Sequence, residues 1–413
     1  MFKSGCGINI KYTNDLDEFK ASGLPKLNYS ANKIEGCISV EPHSILFDYG
    51  IKDYSIEVSN HPDFLKVFFK TKNGSIGFDF LGAAFWLLSR YEEYLPHKTD
   101  KFNRFHYKSS LAYQYDFLDV PLVNLWMHQV KKIFVAMYPQ LKFNDRGYNF
   151  ISTIDIDNAF KYRFKGFVRT VAGYVSDLFR KNFEGIKKRT SIILNKEKDP
   201  FDCYEFLIKQ HSDLNIRAIY FLLLGDYGIN DKNHSASDLR FQALIKHLSD
   251  YSDAGIHPSY GSNNNLQQLK IEISRLSNIT HRQITKSRQH FSMLKFPSTY
   301  LALQQAGITE DYSMGYTNMN GFRASYCYPY NWYSLEDEQK ANFLIHPFCI
   351  TENTLNFFAR EDSQKFIDLA DPLINQVKNY GGELISIFHN DSFTEKMKTN
   401  YLNFLKTAIS HAH

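Results

Sequence analysis

From Tyr148 onward the chain alternates short β-branched and aromatic runs with amphipathic helical patterns, and this alternation constrains its fold more than any other feature. Strand-like runs occur at 149–156, 218–224, 255–260, 285–291, 309–315, 343–350 and 384–389. Helical periodicity fills many of the intervals, at 204–213, 239–251, 266–276 and 298–306. Strands joined through helices of that length cannot form hairpins, so they are expected to lie parallel in one sheet. Polar residues recur at the C-terminal ends of these strands, which predicts a distorted (β/α)7-type barrel with its chemistry at one rim.

A chain of 413 residues exceeds one ordinary core, so two domains are expected. Residues 1–147 read as a smaller, preceding α/β domain with strand-like runs at 37–40, 44–49, 55–58 and 65–70. Two helices follow there, at 80–94 and 121–137, and the charged Arg90-Tyr91-Glu92-Glu93 segment reads as a solvated helix end. Residues 148–413 form the barrel. One insertion, 158–200, interrupts its rhythm: bases such as Arg180, Lys181, Lys187 and Lys188 outnumber acids, while Phe164, Phe167, Val168, Val171, Val175, Leu178 and Phe179 recur at helical spacing. Packing of that stripe on the barrel or on a second subunit is the expectation. Peripheral contact with an anionic membrane surface is the alternative.

A hydrophobic share of 43% with 22% charged residues is that of a soluble globular protein, and a net charge of +4 gives no case for nucleic acid. Cys6, Cys37, Cys203, Cys327 and Cys349 are scattered and never in C-x-x-C spacing, as expected of reduced thiols in a cytoplasmic protein. The first residues lack the apolar centre of a signal peptide, and no stretch approaches the about 18 apolar residues of a membrane span. The expected location is cytoplasmic, with the inner membrane face in reach of the insertion.

The first strand ends in Thr153-Ile154-Asp155-Ile156-Asp157-Asn158. Alternation puts Asp155 and Asp157 on one face and Ile154 and Ile156 on the other. Adjacent carboxylates repel, so such a pair calls for a cation or for donors beside it. Other strand ends add polar residues: His257 in Gly255-Ile256-His257-Pro258-Ser259-Tyr260, Arg288 and His290 two residues apart, Asp311 in Asp311-Tyr312-Ser313, and His389 at the close of Leu384–His389. Each histidine alone reads as structural. Together they predict one site.

The order T-x-D-x-D, His, Arg, Asp and a late L-I-S-I-F-H resembles the NodB-type polysaccharide deacetylases of carbohydrate esterase family 4. The segments RYEEYLP, GIHPSY, SRQHF, DYSMGY and GFR are similar to a Bacteroidetes branch of that superfamily with an extra N-terminal domain. The resemblance implies a metal-dependent hydrolase that removes N- or O-acetyl groups from a carbohydrate. It implies Asp155 as general base, Asp157 and His257 as ligands of a divalent metal, zinc by preference, Arg288 as the residue that orients the base, His389 as general acid, and Asp311 as the residue that tunes that acid. The family's second metal histidine falls four residues after the first, where this chain has Gly261. His290 is the expected substitute, and His346 the second choice. The implied partner is a carbohydrate, lipid-linked in one version of the reading. Two rivals stand beside it: a sugar-binding relative without catalysis, and a glycosyltransferase whose D-x-D holds a metal on a nucleotide sugar. The latter leaves His257, Arg288 and His389 without roles, and no nucleotide-binding glycine pattern is present.

Overall fold

The computed structural model describes residue 5 and residues 7–144 and 146–410, so Cys6 lies outside the described residues. Two small ladders come first: β1 (Leu27–Tyr29) runs parallel to β2 (Ile38–Val40), and β3 (Ser59–His61) antiparallel to β4 (Leu65–Val67). The main sheet comprises β5 (Asn149–Ile156), β6 (Arg217–Leu222), β7 (Asp253–Ile256), β8 (Lys286–Ser287), β9 (Glu310–Asp311), β10 (Tyr330–Ser334), β11 (Gln339–Ile345), β12 (Ile350–Thr351) and β13 (Glu383–His389). Its nine strands run in the order β10-β11-β9-β8-β7-β6-β5-β13-β12. All the ladders are parallel except β10–β11.

Ile151, Ile219, Phe221, Ile385 and Ile387 from β5, β6 and β13 share a buried cluster with Tyr312 and Phe348, which follow β9 and β11. Strands that far apart in the order meet through their inward faces only if the sheet curls. Among the described residues no ladder joins β10 to β12, so the sheet is a curled, open one rather than a closed (β/α)7 barrel. The antiparallel β10 and the two-residue β12, absent from the sequence reading, occupy its edges. The runs predicted at 285–291 and 309–315 shrink to two residues each, because the backbone beyond Ser287 and Asp311 leaves the ladder and turns into the rim.

The helices Tyr204–Asp213 and Leu239–Tyr251 match expectation; Leu266–Thr280 extends a turn beyond it. Glu352–Ala359, Ser363–Asn379 and Glu395–Ile409 complete the outer layer. One contiguous apolar cluster runs from Ile38 through Trp126 and Val130 to Ile154, Phe388 and Phe404, so the N-terminal segment shares its core with the sheet's outer layer.

Four expectations are corrected. Arg90 and Glu93 do not form a solvated helix end: they are 1% and 7% exposed. Glu93 accepts from Arg90 Nε at 2.8 Å and from Arg323 Nη2 at 2.6 Å, and Arg90 Nη1 donates to the Arg323 carbonyl. The run predicted at 44–49 is a short 3-10 turn, Ser44–Leu46, and that at 55–58 precedes β3 without ladder bonds. The insertion folds as two helices, Gly166–Phe179 and Phe183–Ile193, and no residue of the first is buried. From Phe167 to Phe179 its apolar stripe therefore does not pack on the sheet, while Phe164, before the helix, is half-buried against the core.

Candidate metal centre

β5 delivers the two carboxylates by its alternation. Ile154 and Ile156 enter the outer core, while Ile151, Thr153 and Asp155 face inward. Asp155 sits opposite His389 in the β13 ladder and opposite Phe221 in β6, so it is buried at 3% exposure. Asp157 lies just past the strand end and keeps 29% of its side chain exposed.

Asp157, His257 and His290 place one ligand atom each within 4.8 Å of one another. His257 Nε2 is 3.1 Å from Asp157 Oδ1 and His290 Nε2 is 3.4 Å from Asp157 Oδ2. Each ring is oriented from behind. His257 Nδ1 donates to the Arg288 carbonyl at 2.6 Å, and His290 Nδ1 donates to Asp231 Oδ1 at 2.9 Å. With Nδ1 protonated, the neutral tautomer turns the Nε2 lone pair towards Asp157. Asp157 Oδ1 and His257 Nε2 are buried and have no hydrogen-bond partner despite their proximity. Orphaned buried polar atoms are costly, and an ion shared by the two resolves them. One carboxylate and two imidazoles form a donor set suited to zinc.

Without an ion, charges fill the gap. Burial would raise the Asp157 carboxyl, but His290 and His257 outweigh it and hold it well below the usual carboxylate range. Burial would lower the His290 imidazole, but Asp157 and Asp231 push it up to about 9. A proton and a cation thus compete for the space at His290 Nε2.

The position of Gly261 bears on this ligand set. The Gly261 amide donates to Asp231 Oδ2 at 3.1 Å and the Tyr260 amide to Asp231 Oδ1 at 2.9 Å. The loop where a histidine was expected instead clamps the carboxylate that aims His290. His290 is not on a strand face with Arg288, since it opens a 3-10 turn beyond β8. His346 belongs elsewhere: it stacks on Tyr312 and pairs with Glu383, the first residue of β13, six residues before His389.

Arg288 is fully buried, with Nη1 donating to Asp155 Oδ1 at 3.1 Å and to Thr153 Oγ1 at 2.5 Å, and Nε to the Tyr312 carbonyl at 3.0 Å. Its guanidinium lies 4.7 Å from the Phe221 ring centre. The other oxygen of Asp155 is 3.9 Å from His257 Nε2 and 4.0 Å from His389 Nε2. His389 Nδ1 donates to Glu352 Oε1 at 2.6 Å, and the same oxygen accepts from the His389 amide and from Ser392 Oγ. Burial opposes charging of His389, but Glu352, Asp157 and Asp155 raise its pKa well above the ordinary histidine value.

Asp311 is fully buried and accepts from Ser287 Oγ, Ser313 Oγ and the Ser313 amide. The carboxylate paired with His389 is Glu352, and Asp311 instead ties β8 to β9. Glu352 and Asp231 were both missed. Glu352 opens a helix behind the capping Thr351, where an acid is expected for helix-terminus reasons alone, and Asp231 lies in a long loop with no periodicity to single it out. The N-terminal segment also reaches the centre: Phe102 stacks on Phe291, which stacks on His290.

No helix among the described residues is long and apolar enough to cross a membrane. Residues 1–139 match a family of unknown function, DUF7033. No curated protein matches the chain. Among solved structures, a candidate polysaccharide deacetylase from Mycobacterium smegmatis is similar at 12% identity, with a TM-score of 0.39 over 64% of this chain and 86% of that one. A family 4 carbohydrate esterase from Streptomyces lividans in complex with acetate is similar at 10% identity, TM-score 0.34, over 65% of this chain and 91% of that one. A CE4 family pseudoenzyme from Bacillus anthracis is similar at 11% identity, TM-score 0.31, over 64% of this chain and 62% of that one. These scores are low, and the functional reading rests on the side chains.

Proposed function

We propose that the protein is a metal-dependent hydrolase that removes N- or O-acetyl groups from a carbohydrate. The observation that supports this best is the convergence of Asp157, His257 and His290, with Asp157 Oδ1 and His257 Nε2 buried and unpartnered, beside a second carboxylate and His389. Those three residues would hold a divalent ion, zinc by preference, which supplies a Lewis acid that polarises an acyl carbonyl and acidifies water.

The chain's own groups do the rest. Asp155 Oδ2, lying between His257 and His389, takes the proton of the attacking water. Arg288 holds the carboxylate in place, and Thr153 Oγ1 accepts from the same guanidinium nitrogen. As the bond from the acyl carbon to nitrogen or oxygen breaks, His389 Nε2 gives its proton to the leaving amine or alkoxide, and acetate and the free sugar group result. Glu352 keeps that proton on the ring until then.

The test pairs two substitutions. Asp157→Ala is expected to strip zinc from the purified protein, as read by elemental analysis. Asp155→Asn is expected to keep stoichiometric zinc and to lose acetate release from an acetylated chito-oligosaccharide by at least about a hundredfold. Wild-type acetate release from Asp155→Asn, or full zinc in Asp157→Ala, would reject the assignment. A protein that never takes up metal would point to the non-catalytic sugar-binding relative.

A further inference from the structure

We propose that the helical hairpin at 166–193 docks the protein on an anionic lipid bilayer, with the metal centre held close to that surface. This goes beyond the hydrolase reading and does not depend on it. The first helix of the hairpin buries nothing, yet carries Phe167, Val168, Val171, Val175, Leu178 and Phe179. At 100° per residue these six fall within a single stripe about 120° wide. All six are exposed, Phe167 at 83% and Phe179 at 85%. Single exposed apolar residues are ordinary; a continuous stripe on one helix marks a contact surface.

The charge around the stripe selects the partner. Arg180, Lys181, Lys187, Lys188 and Lys196 are exposed, and none has an acidic partner among the described residues. Of the acids nearby, Asp177 pairs with Arg189 at 2.7 Å and Asp199 is buried and caps the 161–163 amides, which leaves the exposed Glu184 and Glu197 outnumbered by these bases. An apolar stripe flanked by free bases complements anionic headgroups over an acyl interior. A second copy of this chain would bring the same bases face to face.

The hairpin is tied to the candidate site. Arg169 donates to the carbonyls of Lys232 and Asn233 at 2.9 Å each, and its guanidinium covers the Tyr227 ring at 4.3 Å. The same loop carries Asp231, which holds His290. Tyr227 and Ile229, exposed at 59% and 88%, extend the apolar surface along that loop. A protein seated by this edge would meet substrates anchored in or lying against the bilayer.

Sedimentation of the full chain with vesicles tests the proposal without any activity assay. Vesicles of phosphatidylcholine with phosphatidylglycerol are compared with phosphatidylcholine alone, at low and high salt. The wild type is expected to bind the anionic vesicles at low salt and to be released as salt rises. Phe167→Ser/Phe179→Ser and Lys187→Glu/Lys188→Glu are each expected to weaken partitioning at least about tenfold while keeping the wild-type unfolding midpoint. No binding to anionic vesicles overturns the proposal, as does equal binding by the variants. It also fails if sedimentation velocity shows a dimer that Phe167→Ser/Phe179→Ser disperses.

Discussion

Burial opposes protonation of His389, but the carboxylates around it, Glu352 first among them, raise its pKa well above the ordinary histidine value. Its Nδ1 is committed to Glu352 at 2.6 Å, which leaves Nε2 facing Asp155, where the proposed reaction needs a proton donor. Glu352→Gln removes the charge and keeps the shape, so the His389 pKa falls. The alkaline limb of the kcat/KM profile is expected to move to lower pH by about one unit or more, with metal content unchanged. An unmoved limb would remove Glu352 from the mechanism. Linkage runs the same way: a raised folded pKa stabilises the protein below the ordinary histidine value, and that contribution is lost as pH rises through the folded value. At this scale the candidate ligands Asp157, His257 and His290, and the neighbouring Asp155 and His389, are legible in the sequence, because each lies at or just beyond a strand end. Asp231 and Glu352 are not, because a carboxylate that orients a ring from behind is defined only by distance.

The elements around the rim are held by polar ties, since β8 and β9 are two residues each and offer few ladder bonds. Asp311 replaces them. It accepts from serines on β8 and after β9, and the Gln289 amide donates to Ser313 Oγ at 2.8 Å, which fixes the backbone between Arg288 and His290. Asp311→Ala leaves two hydroxyls and an amide without their acceptor in a buried position, which is expected to cost roughly 2–4 kcal/mol. Urea unfolding of the variant checks this, and a loss below about 0.5 kcal/mol would reduce Asp311 to a bystander. The predicted runs at 285–291 and 309–315 outlast the strands: Arg288 and Tyr312 still donate to neighbouring strands, but the His290 amide already bonds to Pro258 beyond β7.

At the scale of the whole molecule, the N-terminal segment is joined to the sheet by a buried ionic cluster. Glu93 lies between Arg90 and Arg323 with all three nearly inaccessible. Glu93→Ala leaves the buried Arg323 guanidinium without its carboxylate and Arg90 with Glu92 alone, at an expected cost of about 3–5 kcal/mol. Burial opposes ionisation of Glu93, but Arg323 and Arg90 hold its pKa below the ordinary glutamate value. Its contribution is therefore present above that value and lost as pH falls through the folded one. Chemical denaturation of wild type and variant should show a gap at neutral pH that narrows on acidification; a constant gap would mean the pair acts through packing alone.

The amino-acid sequence by itself determined the parallel α/β sheet, the inward face of β5 and the residue types at the strand ends, because periodicity and patterning act over a few residues. Tertiary structure alone decided that Asp231 orients His290, that Glu352 rather than Asp311 pairs with His389, that Arg90 and Glu93 are buried, and that the helix Gly166–Phe179 leaves its apolar stripe exposed. Each of these depends on which segments meet across long separations, and local patterning carries no record of such encounters.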